Sequence, residues 1–303
     1  MNNISLSVVV IFHEMQREAE RTLYSLSAAY QSGVSALDYE IIAIDNGSVC
    51  PLNPDRVGEL GRNIKYHYFD TDSVSPVDAI NYGVSIAEGE FVAVIVDGAR
   101  MSTPGLIGRT LKALELVEQP FVCALAWHLG PDVQKKSMLE GYNQSEEDLL
   151  LDSIDWQKNG YKLFDISTIA PSSKAGFLGG MPGECSWFAM RRSHYLYMGG
   201  YDPRFQAPGG GLVNHDFLNR ITQQSQISPI IILGEGLFHQ IHGGVATNSK
   251  PGEHPLPSFM RDYEKIHNRP FKFIRHESPL YFGEVSTEAA RFLASSIDNG
   301  YKF

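Results

Sequence analysis

Up to residue 127, the chain alternates between unbroken apolar runs and segments in which apolar residues recur at helical spacing. The most continuous apolar run, 91–96, is preceded by Gly89-Glu90 and followed by Asp97-Gly98. An apolar run without polar alternation is typical of a strand buried on both faces, as in a parallel sheet. We therefore predict a central strand that ends at the carboxylate of Asp97.

Further apolar runs predict strands at 6–12, 39–44, 64–69 and 121–127. Between them, apolar residues at helical spacing predict helices at 17–31, 76–87 and 104–117, and Pro suits the first turn of the last two. Strands that alternate with helices of this length form βαβ units with right-handed crossovers. The predicted fold class is α/β, with a Rossmann-like, mostly parallel central sheet flanked by helices.

The region 130–183 shows neither unbroken apolar runs nor helical spacing. It mixes acidic residues with isolated aromatics, then ends in a run rich in Gly, Ser and Pro. A long irregular stretch inside a compact domain is usually functional or mobile. We predict a lid that shapes an acceptor pocket; the alternative is a surface insertion with a few packed aromatics. Beyond it, short strands are predicted at 186–191 and 230–233, and a helical pattern at 287–297.

The composition narrows the class of protein. At 303 residues, with 43% hydrophobic and 20% charged residues, the chain has an ordinary globular balance. A net charge of −10 argues against nucleic acid as the main partner. Three widely spaced cysteines suggest neither a disulfide framework nor a zinc knuckle, which favours a reducing compartment. No apolar run reaches the about 18 residues of a membrane span, so we predict a cytoplasmic protein and leave peripheral membrane attachment open.

Two predicted strands end in carboxylates, Asp97 and the Asp45 of Asp45-Asn46-Gly47-Ser48. In open α/β sheets, ligands bind outside the carboxyl ends of the strands. The alternative is that both residues only form turns, which their side chains favour.

Asp45 and Asp97 at the strand ends are followed by two later motifs, and this order resembles the motif order of GT-A glycosyltransferases of the large family 2 type over residues 5–245. The later motifs are Gly199-Gly200-Tyr201-Asp202 and the glycine-rich loop from Gly209 to His215-Asp216. The segment around Phe12-His13-Glu14 is also similar to polypeptide N-acetylgalactosaminyltransferases, which we interpret as kinship of fold and not of substrate.

The resemblance implies a donor site formed by Phe12, Glu14, Asp45 and Asp97. The carboxylate of Asp45 would accept from the nucleotide base; the alternative is a cap for its own turn. Asp97 matches the first acid of the DxD motif, which holds Mn²⁺ or Mg²⁺ against the donor diphosphate. Ala99 replaces the second acid, so the remaining ligands would be phosphate oxygens, water and a histidine.

His242 matches the late metal-binding histidine of the relatives, and imidazole is a reasonable ligand for Mn²⁺. His239 is also a candidate, three residues earlier. Because side chains alternate along an extended segment, we expect at most one of the two to point into the site. The alternative is a purely structural histidine.

The acceptor side would comprise Gly210, Gly211, His215 and Trp187. By the resemblance, Asp216 is the general base of an inverting transfer and takes the proton of the acceptor hydroxyl. The alternative is a carboxylate at a helix N-terminus, stabilised by the helix dipole.

The expected protein is a hexosyl- or N-acetylhexosaminyltransferase that moves a sugar from a nucleotide sugar, with UDP expected, to a glycan, lipid-linked or small-molecule acceptor. Residues 1–250 would form the GT-A domain, with a nucleotide-sugar-binding half (1–127) and an acceptor-binding half (128–250), before a C-terminal extension (251–303). One alternative is a catalytically inactive nucleotide- or sugar-binding module that lacks the second acid. Another is a sugar-phosphate nucleotidyltransferase, which needs a glycine-rich loop after strand one, and residues 12–17 contain no glycine. The sequence predicts no oligomeric state.

Overall fold

The structure, a computed structural model, describes residues 4–243, 255–274 and 278–294. The strands are β1 (Leu6–Phe12), β2 (Tyr39–Asn46), β3 (Ile64–Phe69), β4 (Phe91–Ile95), β5 (Arg100–Ser102), β6 (Pro120–Leu129), β7 (Ser167–Ile169), β8 (Trp187–Arg191), β9 (Ser228–His239) and β10 (Leu280–Gly283). The α-helices are α1 (Gln16–Leu26), α2 (Pro54–Leu60), α3 (Val77–Ile86), α4 (Leu106–Leu114), α5 (Gln134–Leu139), α6 (Gln144–Asp152), α7 (Arg192–Tyr197), α8 (Val213–Thr222) and α9 (Leu256–His267). Short 3₁₀ helices span Gly160–Phe164, Pro171–Phe177, Pro208–Gly210 and Ala290–Phe292.

All strands of the described residues belong to one sheet, whose main path runs β10-β9-β6-β8-β4-β1-β2-β3. Neighbours on this path are parallel except β8, which lies antiparallel between β4 and β6. At its margin, β5 pairs with β9 and β7 with β6, both antiparallel. The α/β fold with a mostly parallel central sheet is therefore confirmed. The sheet continues past residue 127, and β10 adds a strand from the segment 251–303.

The central strands are buried on both faces, as their unbroken apolar runs predict. Every residue of β1 and β4 is buried. On β1, Val9 and Ile11 belong to the core that includes α3, whereas Val8 and Val10 belong to the core on the side of α1 and α4. Residues of β3 are only partly buried because β3 is an edge strand.

The region 130–183 is more ordered than its sequence predicts. It contains α5, α6, β7 and two 3₁₀ helices. Its aromatics enter the core: Phe164 and Phe177 are fully buried, with ring centroids 4.8 Å and 5.9 Å from the Trp127 ring. The prediction of an irregular stretch is therefore wrong. Elements this short show no periodicity, so the sequence does not reveal them. The lid remains a prediction.

The helix predictions differ from the structure at their ends; the helix predicted at 104–117, for example, is α4 (Leu106–Leu114). Helix α1 stops at Leu26 because Ser27 takes an extended conformation. The pattern at 287–297 contains the 3₁₀ helix Ala290–Phe292, and residues after 294 lie outside the described part. Among the described residues, no helix has the length and apolar character needed to cross a bilayer.

Candidate functional site

Asp97 lies in the loop after β4, at the carboxyl edge of the parallel strands. Gly98 packs this loop against the end of β1. The Gly98 N–H donates to the Ile11 carbonyl at 2.8 Å, and the Thr22 hydroxyl donates to the Gly98 carbonyl at 2.6 Å. A Cβ atom at position 98 would come within 2.4 Å of the Phe12 ring. Only glycine fits without displacing these neighbours, so the Asp-Gly pair fixes where the carboxylate stands.

Three ligand-type side chains converge at this loop. The Nε2 atom of His239 lies 2.7 Å from Oδ2 of Asp97 and 3.1 Å from Nε2 of His242. Nε2 of His242 lies 3.4 Å from Oδ1 of Asp97. The expectation that at most one histidine faces the site is wrong. His239 ends β9, so the alternation of an extended strand no longer governs the side chain three residues later.

The segment after β9 is held by contacts that sequence patterns do not show. The Gln240 N–H donates to the Ala99 carbonyl at 2.8 Å, and its side-chain amide donates to the Glu18 carbonyl and the Thr22 hydroxyl, each at 3.1 Å. The Ile241 N–H donates to Glu147 Oε2 at 2.8 Å. These contacts return His242 towards Asp97. The residue that could have indicated these contacts is Glu147, in the first turn of α6. The sequence alone does not show that this residue is buried.

The charges of the site favour a carboxylate anion beside a neutral imidazole. Burial alone would raise the pKa of Asp97, but His242, His239 and Arg100 together lower that pKa well below its usual value. Burial lowers the pKa of His239 to about 4, so this histidine is neutral near pH 7. Burial also acts to lower the pKa of His242, yet the neighbouring Asp97 carboxylate outweighs it and raises that pKa. Arg100 adds a permanent cation, 3.4 Å from Asp97 Oδ2.

Two further residues lie behind His239, on the side away from Asp97. Nδ1 of His239 lies 2.5 Å from the side-chain oxygen of Gln134. The His128 ring packs edge-on against His239 at 5.5 Å between centroids. Burial lowers the pKa of His128 to about 3, so it too is neutral.

The trio fits a divalent metal ion. One ligand atom from each of Asp97, His239 and His242 lies within 4.8 Å of the others. A carboxylate oxygen with two imidazole nitrogens suits Mn²⁺ and other first-row transition ions better than Mg²⁺, which prefers oxygen ligands. Asp97 and His242 are partly exposed, which leaves access for a ligand from solvent.

The other predicted donor residues use their side chains internally. Both oxygens of Asp45 accept backbone N–H groups, from Ser48 at 3.2 Å and from Leu52 at 2.8 Å, and Asp45 is fully buried. This arrangement matches the alternative of a turn cap. The Glu14 N–H donates to the Ser48 hydroxyl at 2.8 Å, and the Glu14 carboxylate accepts from Val49 N–H, which ties the end of β1 to the loop after β2. The Phe12 side chain is fully buried.

On the predicted acceptor side, Asp216 lies in the first turn of α8 and is only 1% exposed. Its Oδ2 is 2.8 Å from Arg220 Nε, and its Oδ1 is 3.2 Å from His267 Nε2. Gly210 and Gly211 both have positive φ angles, 79° and 57°, which glycine adopts without strain.

The remaining two predicted acceptor residues differ in their surroundings. Nδ1 of His215 lies 3.1 Å from the Gly183 carbonyl, which links the start of α8 to the end of the region 130–183. Trp187 is fully buried in β8, opposite Ala124 of β6. The structure thus brings Asp97, His239 and His242 together, and places Trp187 in the core and not at a surface.

Comparison with known proteins gives a fold. No protein-family model and no curated protein matches the sequence. Among solved structures, the S. aureus TarS fragment 1–349 matches at 14% identity and a TM-score of 0.50 over 75% of this chain and 58% of that one. Its complex with UDP matches at 12% identity and 0.51 over 99% and 72%, and its complex with UDP-GlcNAc at 13% and 0.52 over 99% and 73%. The chain thus spans between 58% and 73% of these structures, and it has the GT-A fold.

Proposed function

We propose that this chain is a metal-assisted glycosyltransferase, of the family 2 type, that moves a hexosyl or N-acetylhexosaminyl group from a UDP-sugar to a hydroxyl of a glycan, lipid-linked or small-molecule acceptor. Residues 1–127 would bind the donor and 128–250 the acceptor. The nucleotide is suggested by the TarS structures, which were solved with UDP and with UDP-GlcNAc. The fold alone does not decide function, so the proposal depends on the site.

The observation that carries it is the convergence of Asp97, His239 and His242 at the carboxyl edge of the sheet. These three residues would hold the metal ion. Such an ion stabilises the charge that develops on the diphosphate as it leaves the sugar. Arg100 contributes a permanent cation at the same place, next to Ala99, where the usual second acid is missing.

Asp216 is the proposed general base. Its position at the start of α8, after a glycine-rich loop, supports this role, and attack by the activated hydroxyl opposite the leaving group would invert the anomeric carbon. In the described conformation Arg220 and His267 contact its two oxygens. A hydroxyl therefore reaches Oδ1 only after His267 moves away. Base catalysis also requires a direct contact with the hydroxyl or a contact through one water.

The first experiment is calorimetry of UDP binding, with and without Mn²⁺, on the wild type and on Asp97→Ala. We expect Mn²⁺ to strengthen binding in the wild type and to have no such effect in the variant. GDP, CDP and ADP serve as comparison nucleotides. The absence of binding by every nucleotide, with and without metal, would remove the main support for a transferase.

The second experiment addresses Asp216 through transfer or slow hydrolysis of a UDP-sugar. Asp216→Asn should retain UDP binding and lose transfer, whereas His267→Ala, which uncovers the same carboxylate, should keep transfer. Full transfer by Asp216→Asn would eliminate it as the base.

A second candidate function is a nucleotide- or sugar-binding module without catalysis. Two observations favour it: the contacts of Arg220 and His267 that cover Asp216, and Ala99 in place of an acid. Turnover separates the two candidates, because a binding module would bind the nucleotide but neither transfer nor hydrolyse any donor sugar.

A further inference from the structure

Gln134 links both buried histidines beside the candidate metal site. It lies at the start of α5 and is 1% exposed. Its side-chain oxygen is 2.5 Å from Nδ1 of His239, and its backbone N–H donates to Nδ1 of His128 at 3.3 Å. The region 130–183 thus contacts the back of the site through Gln134, and neither the motifs nor the GT-A resemblance assigns that residue a role.

We infer that Gln134 is a positioning residue that selects the tautomer of His239; the inference rests on the metal role proposed above. An amide oxygen can only accept, and a histidine that ligates a metal is a neutral imidazole, so its single proton would lie on Nδ1. Nε2 then carries a lone pair and faces Asp97 Oδ2 at 2.7 Å and His242 Nε2 at 3.1 Å. This lone pair is available to a cation bound between the three side chains. Gln134 thereby holds His239 in the form that can ligate a metal ion.

The opposite orientation of the amide would give a different site. With the amide nitrogen towards Nδ1, the imidazole proton would move to Nε2 and donate to Asp97, which would form a hydrogen-bonded pair and occupy the metal-binding lone pair. The described orientation is favoured by Met138, whose sulfur lies 3.9 Å from the Gln134 amide nitrogen and accepts weakly from it. The two orientations predict different effects of an acceptor-only side chain at this position: unchanged metal affinity for the described orientation and higher metal affinity for the opposite one.

The test is a Co²⁺ titration followed by visible absorption, in the wild type, Gln134→Met and Gln134→Glu. Methionine keeps the length of the side chain but removes the strong acceptor, and loss of such a partner of a ligating histidine weakens metal binding by about 10- to 100-fold. An ionised glutamate only accepts, so Gln134→Glu, titrated at a pH where this carboxyl is ionised, should retain the wild-type affinity and absorption spectrum. Gln31→Met is the matched control, because Gln31 is also buried but bonds to Ser25, Ser102 and Thr103, away from the trio.

Each outcome decides the question. Equal Co²⁺ affinity in the wild type and Gln134→Met would overturn the role of Gln134 and leave the metal site intact. Tighter Co²⁺ binding in Gln134→Glu than in the wild type would show the opposite amide orientation, because an acceptor-only side chain would then move the imidazole proton from Nε2 to Nδ1 and free the metal-binding lone pair. If the wild type binds neither Co²⁺ nor Mn²⁺, the metal role in the proposed function fails and the inference fails with it. If Gln134→Met does not fold, Gln134→Glu still separates the two orientations.

Discussion

Glu147 gives a sharp test of the contacts that hold the segment with His242. Its side chain is fully buried, and its Oε2 accepts the Ile241 N–H at 2.8 Å. Burial raises the pKa of Glu147 to about 7, although Arg17 at 3.1 Å and Arg21 at 4.0 Å oppose this shift. Burial prevails although the Ile241 N–H also acts to lower this pKa, and both arginines lie closer to Asp148 than to Glu147.

The perturbation is Glu147→Gln, which keeps an oxygen for the Ile241 N–H and removes the ionisation. Between pH 4.5 and 7, the folded wild type holds a proton on Glu147 that the unfolded chain has lost, so its stability falls as pH rises. At about 1.4 kcal/mol per pKa unit, the whole shift corresponds to about 3 kcal/mol. The stability of Glu147→Gln relative to the wild type should therefore rise by about 3 kcal/mol over this range, or about 5 °C in melting temperature, and stay constant above it.

The assay is urea unfolding at a series of pH values from 4.5 to 8, read as the difference between variant and wild type. Asp148→Asn is the matched control: this neighbour contacts the same arginines but is partly exposed. Burial acts to raise the pKa of Asp148, but Arg21 and Arg17 outweigh it and lower that pKa below 3.8, so its difference curve should be flat above pH 5. A flat or falling curve for Glu147→Gln would mean that Glu147 is ionised throughout and that the arginines outweigh burial.

Two further predictions concern the site itself. Gly98→Ala would place a Cβ within 2.4 Å of the Phe12 ring and 2.5 Å of the Ile11 carbonyl. We expect the free energy of unfolding in urea to fall by about 1 to 3 kcal/mol and Mn²⁺ binding to weaken. An unchanged Mn²⁺ affinity would show that the loop does not depend on this contact. Because Asp97 raises the pKa of His242, a metal must displace a proton there, so Mn²⁺ affinity should rise by up to about tenfold per pH unit below that pKa and then level off. Calorimetry against pH, with His242→Ala as the control, measures this slope, and a slope that persists in the variant would assign the proton to another group.

The central sheet could be predicted because strands buried on both faces leave unbroken apolar runs. The runs 6–12 and 64–69 match β1 and β3 at both ends. The region 130–183 could not be predicted, since its elements are too short to show a period, and its stability comes from aromatics such as Phe164 that pack on distant Trp127. A sequence also does not tell a surface Trp from a core Trp, and Trp187 lies in the core.

The two histidines show where prediction from spacing fails for a physical reason. Spacing determines the side-chain direction only while the backbone stays regular, and β9 ends at His239. From there, the direction of His242 depends on hydrogen bonds from Gln240 to α1 and from Ile241 to Glu147, between residues far apart in the chain. Contacts of this kind are tertiary, so no local pattern contains them.

Three carboxylates of the predicted site, Asp45, Asp97 and Asp216, differ in how accessible they are to a ligand. Asp45 is fully buried and caps its own loop, and Asp216 is 1% exposed, paired with Arg220 and in contact with His267. The Asp97 side chain keeps 26% of its exposure. A ligand can therefore reach Asp97 without any change in the structure, whereas contact with Asp216 requires His267 to move. If the protein is a transferase, donor and metal binding should thus precede a rearrangement on the acceptor side, and the order of substrate binding should follow from it.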